Sequence, residues 1–238
     1  MRGLAVVLGV LLAIAVFLAC LSAALLWVSF DRGFYAAEFT ALGVPADLMV
    51  DLPTLMGYTE VLLDYLRGEV PSPNVVATVR GRNGPLYGER EVHHLKDVRV
   101  LIALAFLVRN LSIVLVLALS SMLIVIRQIK EAARAYLYAA AGILAVLLAL
   151  VVLVAVDFTH YFTVFHLIAF DNDLWLLDPA TEYLIRMVPE LFFIAAARRI
   201  ALLAVGKFVA LGLAVLVAVS LHAHAVKRNS TQVFQSTL

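Results

Sequence analysis

The chain has 238 residues, of which 64% are hydrophobic and 15% are Asp, Glu, Lys or Arg, with a net charge of +1 and a mean hydropathy of +1.01. Soluble domains are about half apolar and about a quarter charged, so the excess apolar surface belongs in lipid. No basic stripe or aromatic-basic pattern points to nucleic acid, and the single cysteine, Cys20, excludes an internal disulfide framework and argues against a cysteine-based zinc site.

The first apolar run, residues 4–30, is longer than the ~7–15-residue core of a cleaved signal peptide and reads as an uncleaved first span. Phe17-Leu18-Ala19-Cys20 faintly resembles a lipoprotein processing site, but the apolar run continues well past Cys20. Residues 31–99 form a polar segment. Within it, Asp47–Arg67 reads as an amphipathic helix, with Leu48, Leu55, Val61, Leu62, Tyr65 and Leu66 apolar, ended by Pro71, Pro73 and Asn74. Val75–Val79 alternates weakly, and the Asn83-Gly84 pair before Pro85 is a turn signal, so a short hairpin is expected from Val75 to Tyr87. Helix resumes near Glu89 and runs into the second span, residues 100–126, interrupted by Arg109-Asn110 and Ser112.

A short connection, 127–135, leads to the third span, 136–156. The second polar segment, 157–199, is rich in aromatic residues with Asp, Asn and His, a composition that suits the membrane-water interface. Phe158–Phe170 reads as a helix lying at or partly in that interface. Asp178-Pro179 and Val188-Pro189 break the chain, and Pro189 suits the opening of another short helix. The fourth span, 200–226, contains Lys207, and residues 227–238 form a tail. Each span meets the ~20 apolar residues needed to cross a bilayer. The expected fold class is an all-α membrane protein of four transmembrane helices with two extracytoplasmic segments, one a helix plus short hairpin, the other an interfacial aromatic helix. No internal repeat is visible, which disfavours a transporter built from inverted repeats.

Charge sets an expected orientation. Sixteen of the 17 acidic residues lie in the two long polar segments, the exception being Glu131. The short connection and the termini carry Arg2, Arg127, Lys130, Arg134, Lys227 and Arg228. Cationic short segments stay cytoplasmic, which places both termini inside and both polar segments outside, although Lys96, Arg99, Arg198 and Arg199 also flank spans on the outer side.

The chemistry-bearing residues gather on that outer side. His222 and His224 read as ordinary residues at the inner end of span four, whereas His93, His94, His160 and His166 all lie outside. Histidine titrates near neutral pH and suits general acid-base work. On a helix Arg90, His94 and Asp97 share one face, while His93 points about 100° away. An aspartate three residues past a histidine suits the fixing of its tautomer. The plainer reading is a charged helix entry whose surface ion pairs contribute little. A histidine-carboxylate metal site from His93, His94, His160, Asp171 and Asp173 matches no zinc spacing, so no metal and no cofactor are expected. Neither a nucleophile elbow, a His-Glu-Xaa-Xaa-His helix nor a phosphate loop is present. Arg109 lies about 15 Å deeper than Arg99 along a helix, near the middle of a ~30 Å hydrocarbon layer. A cation there faces the protein interior or a wet cavity, either as a lipid headgroup contact or as a buried structural link.

Three stretches resemble the lipoprotein intramolecular transacylases (Lit): Glu89–Val98 with its Val92-His93-His94-Leu95-Lys96-Asp97, Phe165–Pro179 with its Phe-His…Asn-Asp…Trp…Asp-Pro run, and Leu184–Phe193. Leu52–Arg67 is similar more loosely, and four spans with two outer segments match the family layout. The resemblance implies an enzyme at the outer face of the bacterial plasma membrane that acts on diacylglyceryl-modified lipoproteins, its partners together with membrane lipid. It implies transfer of the sn-2 acyl chain to the α-amine of the same N-terminal cysteine, giving a lyso-form lipoprotein. Two histidines serve that reaction, and the matching positions are His94 and His166; His93 departs from the pattern. On this reading His94 is the base, oriented by Asp97, and His166 the second acid or the stabiliser of the oxyanion, with the two roles exchangeable. Asn172 is a hydrogen-bond donor to the tetrahedral intermediate. Arg90, Arg198 and Arg199 hold anionic surroundings, with Arg109, Arg198 and Arg199 as lipid headgroup contacts. Two rival readings are a non-catalytic scaffold or chaperone for lipid-modified partners, which would tolerate loss of both histidines, and a metal-dependent membrane hydrolase, which would be sensitive to chelators.

Overall fold

The structure is a computed structural model that describes residues 2–236, with side chains described for residues 2–217 and 220. His222, His224, Lys227 and Arg228, and the whole of the expected tail, lie outside the described side chains. The chain is an all-α membrane protein in which four helices are long and apolar enough to cross a bilayer. They are α1 (Arg2–Ser29), α5 (Glu89–Ile126), α6 (Ile129–Val156) and α9 (Glu190–Ser236). Between α1 and α5 lie α2 (Arg32–Ala41), α3 (Val44–Leu48), α4 (Leu52–Arg67) and a two-stranded sheet, β1 (Val76–Val79) with β2 (Arg82–Pro85). Between α6 and α9 lie α7 (Phe158–Ala169) and α8 (Leu184–Met187).

The chain divides into two compact units. The first comprises residues 1–21, 108–150 and 202–238. Its helices pack through small residues: Ala5, Gly9 and Ala13 recur every fourth position along α1, and both alanines are fully buried. A Cβ on Gly9 would stand 2.3 Å from the Ala132 carbonyl oxygen, so α1 and α6 touch there backbone to backbone. Lipid offers no hydrophobic drive for helices to associate, and close approach of small residues supplies van der Waals contact instead. Ala5, Leu8, Leu123 and Ala132 form a buried cluster there; farther along α1, Ala13, Val16, Cys20, Tyr136, Ala140 and Phe208 form a second, with Phe17 edge-on to Phe208.

The second unit comprises residues 22–107 and 151–201. Each helix in it starts and stops for a local reason. Asp31 caps α2 through Gly33 and Phe34 N–H groups at 2.9 and 3.2 Å. Asp51 caps α4 through the Thr54 N–H at 2.8 Å, with Pro53 in the first turn, and Gly68 ends it in the left-handed conformation at φ 87°. The amphipathic stretch expected as one helix over Asp47–Arg67 is therefore two, since Met49 turns left-handed at φ 55° and Asp51 restarts the helix. Helix α2 was not anticipated: it is short and its apolar spacing is broken.

The hairpin forms where expected but on a different turn. Val79 pairs with Arg82, which leaves Arg80-Gly81 as the two-residue loop, both at positive φ (53° and 77°), as a hairpin of this length requires. Asn83 and Gly84 sit in β2 opposite Thr78 and Ala77. Two tertiary restraints select this register. Asn74 clamps the open end, accepting from the Tyr87 N–H at 2.7 Å and donating to its carbonyl at 2.8 Å. At the tip Arg80 N–H bonds the Leu48 carbonyl, and its guanidinium bonds the Asp47 carbonyl. The register also buries Ala77 and Val79.

Pro189 does not open a separate short helix. It stands immediately before α9, which starts at Glu190, ten residues ahead of the expected span. Polar residues such as Arg198 and Arg199 hid that start from a hydropathy reading. The unit's core is aromatic: Phe192 packs on Phe34, Tyr35 and Phe39 with centroid distances of 5.0–6.1 Å, and Phe39 is fully buried. Rings of this size dominate core energetics through the area they remove from water.

Candidate active site

The entry of α5, Glu89–Arg99, precedes the apolar run that begins at Val100 and carries the charged residues of that helix's N-terminal end. Glu91 pins it. That side chain is 1% exposed, and its two oxygens accept the Leu184 N–H at 2.6 Å and the Gly88 N–H at 2.7 Å. The Gly88 bond is the reach-back half of a capping box; the Leu184 bond fastens α8 to α5. Burial raises the Glu91 carboxyl above its ordinary value, and the backbone N–H groups act against that rise.

One turn on, His94 is buried while His93 is exposed. His94 points with Val98, Leu101 and Ile102 into an apolar cavity of about 580 Å³. From α7, Tyr161, Phe162, Phe165 and His166 enter the same cavity, and Phe170 closes their end. The two imidazoles face each other with centroids 6.4 Å apart, and Phe170 lies edge-on to His94 at 5.2 Å. The His166 Nδ1 lies 2.7 Å from the Phe162 carbonyl. A carbonyl only accepts, so Nδ1 carries the hydrogen and Nε2 the free lone pair. The His94 Nδ1 is buried with no hydrogen-bond partner among the described residues, a condition that costs free energy unless a ligand supplies the partner.

Burial disfavours the charged form of both rings. Burial pushes His94 down to about 4, helped by the neighbouring His166 and opposed by Asp97. Burial also lowers His166, against which the Phe162 carbonyl acts in the opposite sense.

Arg90 and Asp97 flank His94 on its stripe and grip the loop after α7. Arg90 bonds the Asp173 carbonyl and pairs with its carboxylate at 3.4 Å. The Asn172 Nδ2 donates to Asp97 at 3.0 Å. Asn172 also organises its own turn, accepting from the Leu174 N–H at 3.1 Å and, through its carbonyl, from the Trp175 indole at 3.0 Å. The structure therefore brings His94, His166, Asp97, Arg90 and Asn172 together, but Arg90, Asp97 and Asn172 are not among the residues lining the cavity. Asp97 is engaged with Asn172 rather than with the His94 Nδ1, and the amide expected to face the tetrahedral intermediate is committed to Asp97.

The three arginines expected at lipid headgroups do not line the cavity. Arg199 pairs with Asp31 at 2.7 Å and lies over the Phe34 ring, Arg198 is exposed, and Arg109 bonds the Asn110 side chain at 3.0 and 3.1 Å. Among the described residues no group of three or more His, Cys, Asp and Glu could hold a metal ion; His160 is exposed on the first turn of α7. Sequence reasoning missed Glu91. The signal for it was available in the Gly88-to-Glu91 spacing of a helix start, whereas its bond to Leu184, 93 positions away, was not.

The family model described as "Lipoprotein intramolecular transacylase Lit" matches residues 10–193. In structure the chain is similar to the membrane integral lipoprotein intramolecular transacylase Lit from Bacillus cereus, at a TM-score of 0.73 and 19% identity, covering 97% of this chain and 100% of that one. Two variants of the Bacillus cereus protein, in which a single histidine is replaced by arginine or by alanine, match at a TM-score of 0.67 and 19% identity. The arginine variant is matched over 97% of this chain and 95% of its own, the alanine variant over 96% of each. No curated protein matches the chain in sequence.

Proposed function

The chain belongs to the family of lipoprotein intramolecular transacylases, Lit, and on that premise we propose that it moves the sn-2 acyl chain of a diacylglyceryl-cysteine to the α-amine of the same cysteine at the outer face of a bacterial plasma membrane. The observation that carries this reading is the pair His94 and His166, two imidazoles whose burial disfavours the charged form, both lining a mostly apolar cavity with centroids 6.4 Å apart.

The amine attacks the ester carbonyl as the free base; its ordinary pKa is about 7.7–8.0. A carbon–nitrogen bond forms, the carbon–oxygen bond to glycerol breaks, and one proton passes from the amine to the glyceryl oxygen. The geometry favours the exchanged assignment of roles. His166 presents a lone pair on Nε2 because its Nδ1–H is held by Phe162, so it takes the amine proton. The added charge is then shared with the Phe162 carbonyl. His94, too weak a base for that task, donates from a neutral ring to the developing oxyanion; its Nδ1 has no partner among the described residues. His166 returns the proton to the leaving alkoxide. Amine and ester belong to one molecule, so much of the rate gain comes from orientation. The pairing of Asn172 with Asp97 supports a bracing role for both: they fix the 171–175 loop against α5 and thereby the distance between the rings.

The test is mass spectrometry of N-terminal lipopeptides from cells with and without this protein. An acyl chain moved from glycerol to nitrogen, at unchanged acyl count, is the expected result. A lost acyl chain would indicate hydrolysis, and unchanged lipopeptides a non-catalytic role.

A further inference from the structure

We infer that Trp175 is a positioning residue of this reaction, its indole lying close against the His166 ring at a tilt so that it stabilises the imidazolium formed when His166 takes the amine proton. The inference rests on the transacylase reading and adds to it the group that tunes the base.

His166 is set among four aromatic rings. Trp175 lies nearer than Phe165 or Phe170, at a centroid distance of 4.7 Å, with its plane tilted by 30°. Phe162 and Phe165 stand edge to face at 4.4 Å and 5.2 Å, and Phe170 is tilted by 36° at 5.6 Å. Phe162, Phe165 and Phe170 line the cavity, whereas Trp175 does not. The indole therefore backs the imidazole and leaves Nε2 to the substrate. Its own position is fixed, because Nε1–H donates to the Asn172 carbonyl, and Asn172 is held in turn by Asp97 on α5.

A base in an apolar cavity has a physical difficulty: burial opposes the cation it must become. No carboxylate lines this cavity. The titratable groups sharing it with His166 are His94 from α5, Tyr161 from its own helix and Tyr35 from α2; Asp97 acts on His94, and α9 presents apolar rings such as Phe193 to Phe162. Nothing anionic in that set can offset the charge on His166. The indole face can, because tryptophan has the most electron-rich ring and cation–π attraction strengthens when the partners are desolvated. Such an attraction shifts a protonation equilibrium by on the order of tenfold, or one pH unit.

Fluorinated tryptophan tests this without a change of shape. The chain holds two tryptophans, and Trp27 is 63% exposed on α1, so a Trp27→Phe background leaves Trp175 as the sole site of incorporation. The full-length protein in detergent would carry tryptophan with none, one or several ring fluorines, and the His166 pKa would be read by NMR of isotopically labelled histidine, with His166→Gln assigning the signal. The expected result is a stepwise fall of the His166 pKa with fluorination, totalling on the order of one pH unit, while His94 stays put. The N-acylation rate should fall in parallel. A flat series would overturn the inference and leave Trp175 a loop anchor. Because NMR reads the ring without turnover, a protein that shows the stepwise fall yet transfers no acyl group would sink the transacylase reading instead.

Discussion

His93 and His94 are neighbours in sequence with opposite surroundings, one exposed and one buried against the cavity. Loss of a general acid-base group, the role of His166, lowers a rate by about 10²–10⁴-fold, and loss of an oxyanion donor, the role of His94, by about 10²–10³-fold. His94→Ala and His166→Ala are each expected to lower N-acylation by that order while the protein still accumulates in the membrane, and His93→Ala to stay near the parent rate. A dead His93 variant beside an active His94 variant would overturn the assignment. The pH dependence follows from the lowered imidazole values. Both rings are neutral where the substrate amine titrates, so the rate should climb through about 7.7–8.0 as the amine loses its proton. It should steepen only below about 6.5, the ordinary histidine value, since burial lowers His166. Initial rates on a synthetic diacylated lipopeptide in detergent check this. A second break at or above about 6.5 would mean that the base is not held neutral by burial.

At the scale of elements, two contacts fix helices whose positions matter to the site. Glu91→Ala leaves the Leu184 and Gly88 N–H groups without their acceptor. The Leu184 donor is buried, and stranding it costs about 1–3 kcal/mol, so a clear drop in thermal unfolding temperature is expected. N-acylation should fall as well, because α8 is no longer fastened to the turn before His94. An unchanged melting temperature would remove Glu91 from the account. Gly9→Ala places a Cβ where the Ala132 carbonyl oxygen stands. Backbone has to move to admit it, and overpacking of this kind costs about 1–3 kcal/mol. Lower thermal stability with the His94–His166 chemistry intact is the expected result. Gly142→Ala, where a Cβ meets nothing within 4 Å, serves as the control.

At the scale of the molecule the remaining prediction concerns sidedness. Four helices long enough to cross, with nearly all the acidic residues in the two connections that carry the site, support cytoplasmic termini and an outer active face. Reporter fusions at Leu238 and within the 81–84 segment of the hairpin should report opposite sides of the membrane. The same side for both would refute the arrangement. The exposed Leu167 and Ile168 on α7, 65% and 82% accessible, are the residues such a helix would turn toward lipid at the outer interface.

The fold was legible wherever the signal is local and cumulative. Long apolar runs give spans because an unpaired backbone cannot sit in hydrocarbon, and the 3.6-residue period put Arg90, His94 and Asp97 on one stripe with His93 turned away. Boundaries were lost where polar residues sit inside a helix, as at Glu190–Arg199, or where a capping aspartate splits an apolar pattern, as at Asp51. The hairpin turn moved from Asn83-Gly84 to Arg80-Gly81 because the clamp by Asn74 and the anchor of Arg80 on α3 outweigh a dipeptide preference. The sequence by itself determined the four spans and the gathering of acidic residues in the two long connections, and it singled out the two histidines proposed for the chemistry. Only the tertiary structure decided that Asp97 bonds Asn172 rather than His94, that Phe162 fixes which nitrogen of His166 is free, and that Trp175 stands behind it. A side-chain donor or acceptor has many candidate partners along a chain, and packing between segments some 75 residues apart selects one of them.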